Sequence, residues 1–191
     1  NVLSAQKSFI KIAKDNNIEV DVSISKKLND VKNSTHIVLP GQGAFSTCMN
    51  GLKKTDGLID ELCEFALVKK KPFLGICVGM QMLAKLSEEN GLHEGLGWID
   101  GKIKVLPADN LKLPHMGWNF VSPTNSQDIN LISAKNDYYF VHSYYFDCTN
   151  KDNILAETKY GINFASIVGK ENIYGVQFHP EKSSSQGLNL L

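Results

Sequence analysis

The chain has 191 residues, with 20 lysines and arginines balanced by 20 acidic residues for a formal net charge of zero. That length suits one domain with a sizeable core. The even charge, with no basic stripe or acidic tail, argues against nucleic acid or a membrane surface as an electrostatic partner, and no apolar run approaches the ~20 residues of a membrane-spanning helix.

Along the chain, Val2, Leu3, Phe9, Ile10 and Ala13 fall near helical spacing and predict a helix to about Asp15. The alternating "NNIEVDVS" predicts a strand, and "THIVLPG" a buried strand ended by Pro40-Gly41. "TDGLIDELCEFALVKKK" puts Leu58, Ile59, Leu62, Phe65 and Ala66 on one helical face, with lysines in the last turn where they suit the helix dipole. "PFLGI" reads as a strand and "VGMQMLAKLSEE" as the helix after it. Strand–helix alternation of this kind predicts a parallel sheet covered by helices. The second half differs: "GKIKVLP", "DYYFVHSYYFD", "NILAETKY", "NFASIVGK" and "NIYGVQF" are short strands between turn residues, consistent with antiparallel additions. The expected fold is one α/β domain over residues 1–191, with a central mixed, mostly parallel sheet.

Cys48, Cys63, Cys77 and Cys148 have neither paired spacing nor a Cys/His zinc pattern, so free thiols in a reducing cytosol are expected, with no metal. No signal-peptide pattern is visible. Among the cysteines Cys77 stands apart. Gly75-Ile76-Cys77-Val78-Gly79 sets a nucleophile between two glycines at a strand–helix junction, a form that turns the chain sharply and exposes the middle side chain. The helix N-terminus there favours a thiolate. A thiolate needs a base, and His179 in "GVQFHPEKS" follows a strand, with Glu181 two residues on to orient the imidazole. A site for the developing negative charge is offered by Pro40-Gly41-Gln42-Gly43, where a glycine-rich turn frees backbone N–H groups. His36 and His93 have no such setting.

In order and spacing these three segments resemble the class I, triad-type glutamine amidotransferases: the Pro-Gly-x-Gly loop, then Gly75-Ile76-Cys77-Val78-Gly79-Met80-Gln81, then His179-Pro180-Glu181. Further segments, "LPHMGWN" and "YYFVHSYY" above all, are similar to the imidazole glycerol phosphate synthase branch of that family. The resemblance implies a flavodoxin-like fold and hydrolysis of L-glutamine to glutamate and ammonia without a cofactor. It implies Cys77, His179 and Glu181 as the triad, Gly43 and Val78 as oxyanion donors, and Gly41, Gln81, Glu89, Ser143 and Tyr144 as substrate-binding residues. It also implies a HisF-like (β/α)8-barrel cyclase as partner, docked near Trp118, Asn119, Tyr138 and His142, with Trp118 and Tyr138 as aromatic anchors. A paralogue feeding ammonia to a HisF-like synthase in another pathway stays open at this point, as does a hydrolase of γ-glutamyl peptides. By the same resemblance a strand is expected before Asn1, and a longer helix after Ser183.

Overall fold

The computed structural model of the chain describes residues 2–107, 111–124 and 136–191, so Asn1 lies outside it. The first helix is α1 (Val2–Asp15); it buries Ala5 and Ala13 and leaves Leu3 and Ile10 exposed. Residues 16–23, expected as a strand, form no ladder: 16 and 17 make the turn that ends α1, and the rest pairs with no strand. Val20 is exposed, and Gln6 Nε2 donates to the Val22 carbonyl, tying the segment to α1. Alternation makes a strand only where a neighbour takes up the backbone groups.

The short helix α2 (Leu28–Asn33) leads to β1 (Ile37–Gly41), α3 (Phe45–Lys53) and α4 (Leu58–Cys63). The predicted helix over this last region goes on as one π-helical turn, Glu64–Val68, which buries Phe65 and Ala66 fully. Then come β2 (Phe73–Cys77) and α5 (Val78–Gln81).

The helix expected to run from Val78 to the glutamates is corrected here: α5 has one turn, and β3 (Ala84–Ser87) follows. Met80, Met82, Leu83 and Ala84 are all buried, so the segment has no solvent-facing side for an amphipathic helix to present. Its backbone is claimed instead by residues further along the chain, where Leu96 N–H donates to the Met82 carbonyl and Ile99 N–H to that of Leu83.

The remaining strands are β4 (His93–Glu94), β5 (Ile99–Val105), β6 (His115–Pro123), β7 (Asn136–His142), β8 (Tyr144–Cys148), β9 (Ile154–Tyr160), β10 (Ile162–Lys170) and β11 (Ile173–Val176), before α6 (Ser184–Leu190). The sheet runs β1-β2-β11-β10-β8-β5-β3-β4; β9 joins β10 to β6, and β6 pairs with β7. It is mixed, as expected, but its parallel part is confined to β1 with β2, β2 with β11, and β3 with β5; the other pairings are antiparallel. Because β1, β2 and β11 are parallel neighbours, the segments leaving their C-terminal ends emerge side by side. Those segments carry Gly43, Cys77 and His179. The C-terminal edge of a parallel sheet is where open α/β folds gather ligands.

Candidate active site

Cys77 ends β2 with φ 56° and ψ −113°, a conformation non-glycine residues rarely adopt. Its surroundings explain how the strain is held. A Cβ on Gly79 would lie 1.7 Å from the Leu39 carbonyl oxygen, one on Gly75 2.6 Å from the Gly79 oxygen, and one on Gly41 2.7 Å from the Gly79 nitrogen. The first turn of α5 is thus pressed against both β1 and β2, and only glycine permits that approach. The thiol is almost fully buried, with the Val141 carbonyl at 4.0 Å and Gln177 Nε2 at 3.9 Å from Sγ.

His179 follows β11 and is pinned from two sides. Its N–H donates to the Tyr139 carbonyl at 2.9 Å, and its carbonyl accepts from Ser183 Oγ, which in turn takes the Tyr139 N–H. The ring Nδ1 meets Glu181 Oε1 at 2.9 Å across a single 3-10 turn, Pro180–Lys182. Burial works against charge on this imidazole, yet the neighbouring Cys77 and the Glu181 carboxylate outweigh it and push the pKa up to about 9. Nε2, on the other side of the ring, is buried without a hydrogen bond of its own. The nucleophile, base and orienting carboxylate read from the sequence therefore belong to one cluster.

The cluster opens into a cavity of about 270 Å³ lined by Gly43, Cys77, Val78, Gln81, Glu89 and His179, among others. Gly43 has φ 91°, in the region glycine favours. Gly41 is not part of the lining: it pairs with Cys77 across β1 and β2, and its role is to let α5 come close. Ser143 and Tyr144 line the far wall. Gln81 spends both amide hydrogens on protein, donating to the Tyr144 carbonyl and to Gln177 Oε1, each at 3.1 Å, so what it presents to a ligand is Oε1. Glu89 lies in the loop after β3 rather than on a helix, and its Oε2 accepts the Phe45 N–H at 2.7 Å.

Residues 3–190 match the family model for class-I glutamine amidotransferases. The chain belongs to that family. It is 44% identical to the imidazole glycerol phosphate synthase subunit HisH of Pelagibacter ubique, over all of this chain and 92% of that one. It is 43% identical to the subunit of the same name from Rhodospirillum rubrum, over all of this chain and 91% of that one. Within the amidotransferases these relatives put it in the HisH branch. The fold agrees with a crystal structure of a glutamine amidotransferase, at a TM-score of 0.70 and 15% identity over 95% of this chain and 88% of that one. It also agrees with the glutaminase domain of Trypanosoma brucei CTPS, at a TM-score of 0.66 and 17% identity over 98% and 84% of the two chains.

Two of the expected partner-face residues of this amidotransferase need correction. Tyr138 is 1% exposed and stacks on Phe178 at 4.1 Å, and His142 is buried. Register explains both. Asn119 sits directly across from Tyr138, and His115 from His142, so all four share one face of the β6–β7 ribbon, and it is the inner one. Asn119 is half-buried and bonds His115 and the Lys159 carbonyl. Trp118, one residue away, faces out and is 54% exposed, in line with Met116 and Phe120. Among the described residues the chain has no helix long and apolar enough to cross a membrane, no cluster suited to a metal ion, and its four cysteines are free.

Sequence reading missed Gln177 and Lys182. Gln177 is fully buried between Cys77 and Gln81, and Lys182 lines the cavity. A polar residue in the apolar strand end "GVQF", directly before the base, was the available signal for Gln177.

Proposed function

We propose that this amidotransferase hydrolyses L-glutamine to glutamate and ammonia at Cys77, and delivers the ammonia to a cyclase subunit, as a HisH subunit of imidazole glycerol phosphate synthase in histidine biosynthesis. The Cys77 sulfur attacks the side-chain amide carbon, forming a C–S bond and an oxyanion that faces the N–H groups of Gly43 and Val78. His179, held protonated by its neighbours, gives its proton to the amide nitrogen, and the C–N bond breaks to release ammonia. A water then adds to the thioester carbon, passing a proton to His179 as the C–S bond breaks and glutamate leaves. Glu181 holds the imidazole with Nε2 toward the reacting atoms. Glu89 and the Ser143–Tyr144 backbone take the α-ammonium and α-carboxylate ends of the substrate.

The observation that carries this reading is the meeting of Cys77, His179, Gly43 and Val78 at one cavity of about 270 Å³, a size that suits a single amino acid. For the partner, support comes from the outward row Met116, Trp118 and Phe120, an exposed apolar strip on a strand whose neighbour β7 supplies Val141 to the cavity wall. A HisF-like (β/α)8-barrel cyclase seated there would cover the cavity's side of the molecule. The test is glutamate release from L-glutamine, measured alone and with a HisF-like cyclase plus its nucleotide substrate PRFAR. Stimulation by the pair, absent in Cys77→Ala, is expected. Activity that survives in Cys77→Ala overturns the mechanism, and Cys77-dependent activity indifferent to the cyclase overturns the partner.

A further inference from the structure

Two histidines outside the triad are joined at 2.9 Å inside the molecule: His115 Nδ1 and His142 Nε2. Each has one more partner, and together these fix every proton. His142 Nδ1 lies 2.8 Å from the Tyr144 carbonyl, which can only accept, so His142 carries its hydrogen on Nδ1. Burial holds His142 down to about 3 and His115 down to about 4, so both rings are neutral near pH 7. A neutral His142 then accepts at Nε2, and His115 must donate from Nδ1. That leaves His115 Nε2 as an acceptor, which the Asn119 amide fills at 3.1 Å. Asn119 is oriented in its turn, since its Oδ1 accepts the Phe120 N–H and its amide also donates to the Lys159 carbonyl. The hydrogen bonds run in one direction, from Asn119 through His115 and His142 to Tyr144.

The end of this series lies in the cavity. The Tyr144 carbonyl takes two donors, His142 and Gln81, while the Ser143 carbonyl is turned the other way to accept from Leu106 N–H. Neighbouring residues of a strand turn their backbone groups to opposite sides, and one residue's N–H and C=O point the same way. Tyr144's N–H therefore lies on the side of Gln81 and His142, away from β5. We infer that Asn119, His115 and His142 are positioning residues, which lock the Tyr144 backbone in the orientation that the cavity uses to hold the amino-acid end of its substrate. They touch no reacting atom. The inference rests on the glutaminase reading for its substrate, but the hydrogen-bond series stands independently of it.

Two measurements test it. Long-range ¹H–¹⁵N correlation spectra of the unaltered chain at pH 7 report the tautomer of each ring; both His115 and His142 are expected neutral with the hydrogen on Nδ1, and an Nε2–H form on either ring overturns the series. Steady-state kinetics on His142→Phe, which fills the space without a donor, and His142→Asn, which keeps an N–H near the Nδ1 position, test the role. Glutamine KM is expected to rise about 10-fold in His142→Phe with kcat changed less than about 3-fold, and to return most of the way in His142→Asn. If both folded variants keep KM within about twofold of the unaltered chain, the positioning role is wrong. Should His142→Phe fail to fold, His115→Gln replaces it with the same expected rise and the same overturning result. An unaltered chain without Cys77-dependent glutaminase activity would instead remove the substrate assignment, and the ring tautomers would still decide the series.

Discussion

Glu89 closes on Phe45: its Oε2 accepts the Phe45 N–H at 2.7 Å, joining the loop after β3 to the first residue of α3. The same carboxylate lines the cavity beside Gln42 and Gly43. It thus ties down the residue that follows the 41–44 loop while keeping a carboxylate at the cavity. Glu89→Gln keeps an acceptor for Phe45 and loses only the charge. If the charge receives the substrate's ammonium, glutamine KM rises by about 10- to 100-fold, the worth of one charged hydrogen bond, while the melting temperature stays close to that of the parent. Steady-state kinetics and a thermal melt read the two effects separately.

The histidines predict opposite pH dependences. His179 has its folded pKa at about 9, above the ~6.5 of an unfolded histidine, so its stabilisation is full below pH 6.5 and is lost as pH rises to 9. His115 and His142 have folded values of about 4 and about 3, so as pH falls below 6.5 the unfolded chain takes up protons that the folded chain refuses. Their contribution makes stability fall toward pH 4. Urea unfolding from pH 4 to 9.5 should show both slopes, and His179→Gln should flatten only the alkaline one.

Removing the carboxylate partner should act through the ring. Glu181→Gln keeps a group of the same size beside Nδ1 but removes a charge that raises the imidazole. The His179 pKa is expected to fall, and kcat to drop by about 100-fold or more, as the loss of an orienting carboxylate does elsewhere. An NMR titration of the ring and kcat measured at several pH values check it. An unmoved ring pKa would detach Glu181 from the base.

Trp118 and Tyr138 should separate cleanly in mutagenesis, because they lie on opposite faces of one ribbon. Trp118→Ala is expected to leave the melting temperature nearly unchanged and to weaken binding to a HisF-like cyclase by roughly 30-fold or more, as loss of an aromatic anchor does. Tyr138→Ala should instead cost about 3–5 kcal/mol of stability through the cavity left against Phe178. Titration calorimetry with the cyclase and chemical unfolding give the two readings.

Much of the site was legible in the sequence because its chemistry is local. A cysteine between Gly75 and Gly79, and a histidine two residues from Glu181, are short-range patterns whose geometry the backbone imposes directly. What failed depended on distant neighbours. The buried run Met80–Ala84 has no polar face, so its pattern could not separate one helical turn and a strand from a long helix. Asn16–Ser23 alternates well but has no ladder partner among the described residues. Trp118 and Tyr138 look alike as anchors until the register of β6 against β7 gives them opposite faces. Gln177 and the His115–His142 pair needed residues 96 and 27 positions apart to be brought into contact.

The in-step pairing of β1 with β2, Ile37 beside Phe73 through to Gly41 beside Cys77, also limits how this chain can change in length. Deleting or inserting one residue inside either strand would shift Gly43 by one residue along the strand relative to the thiol and turn the following side chains to the other face. Connections such as 54–57, between α3 and α4, contribute nothing to the cavity lining and are under no such constraint. Among working relatives, length differences should therefore gather outside 37–43 and 73–79, and a library of single-codon deletions selected for glutaminase activity should leave these two windows empty.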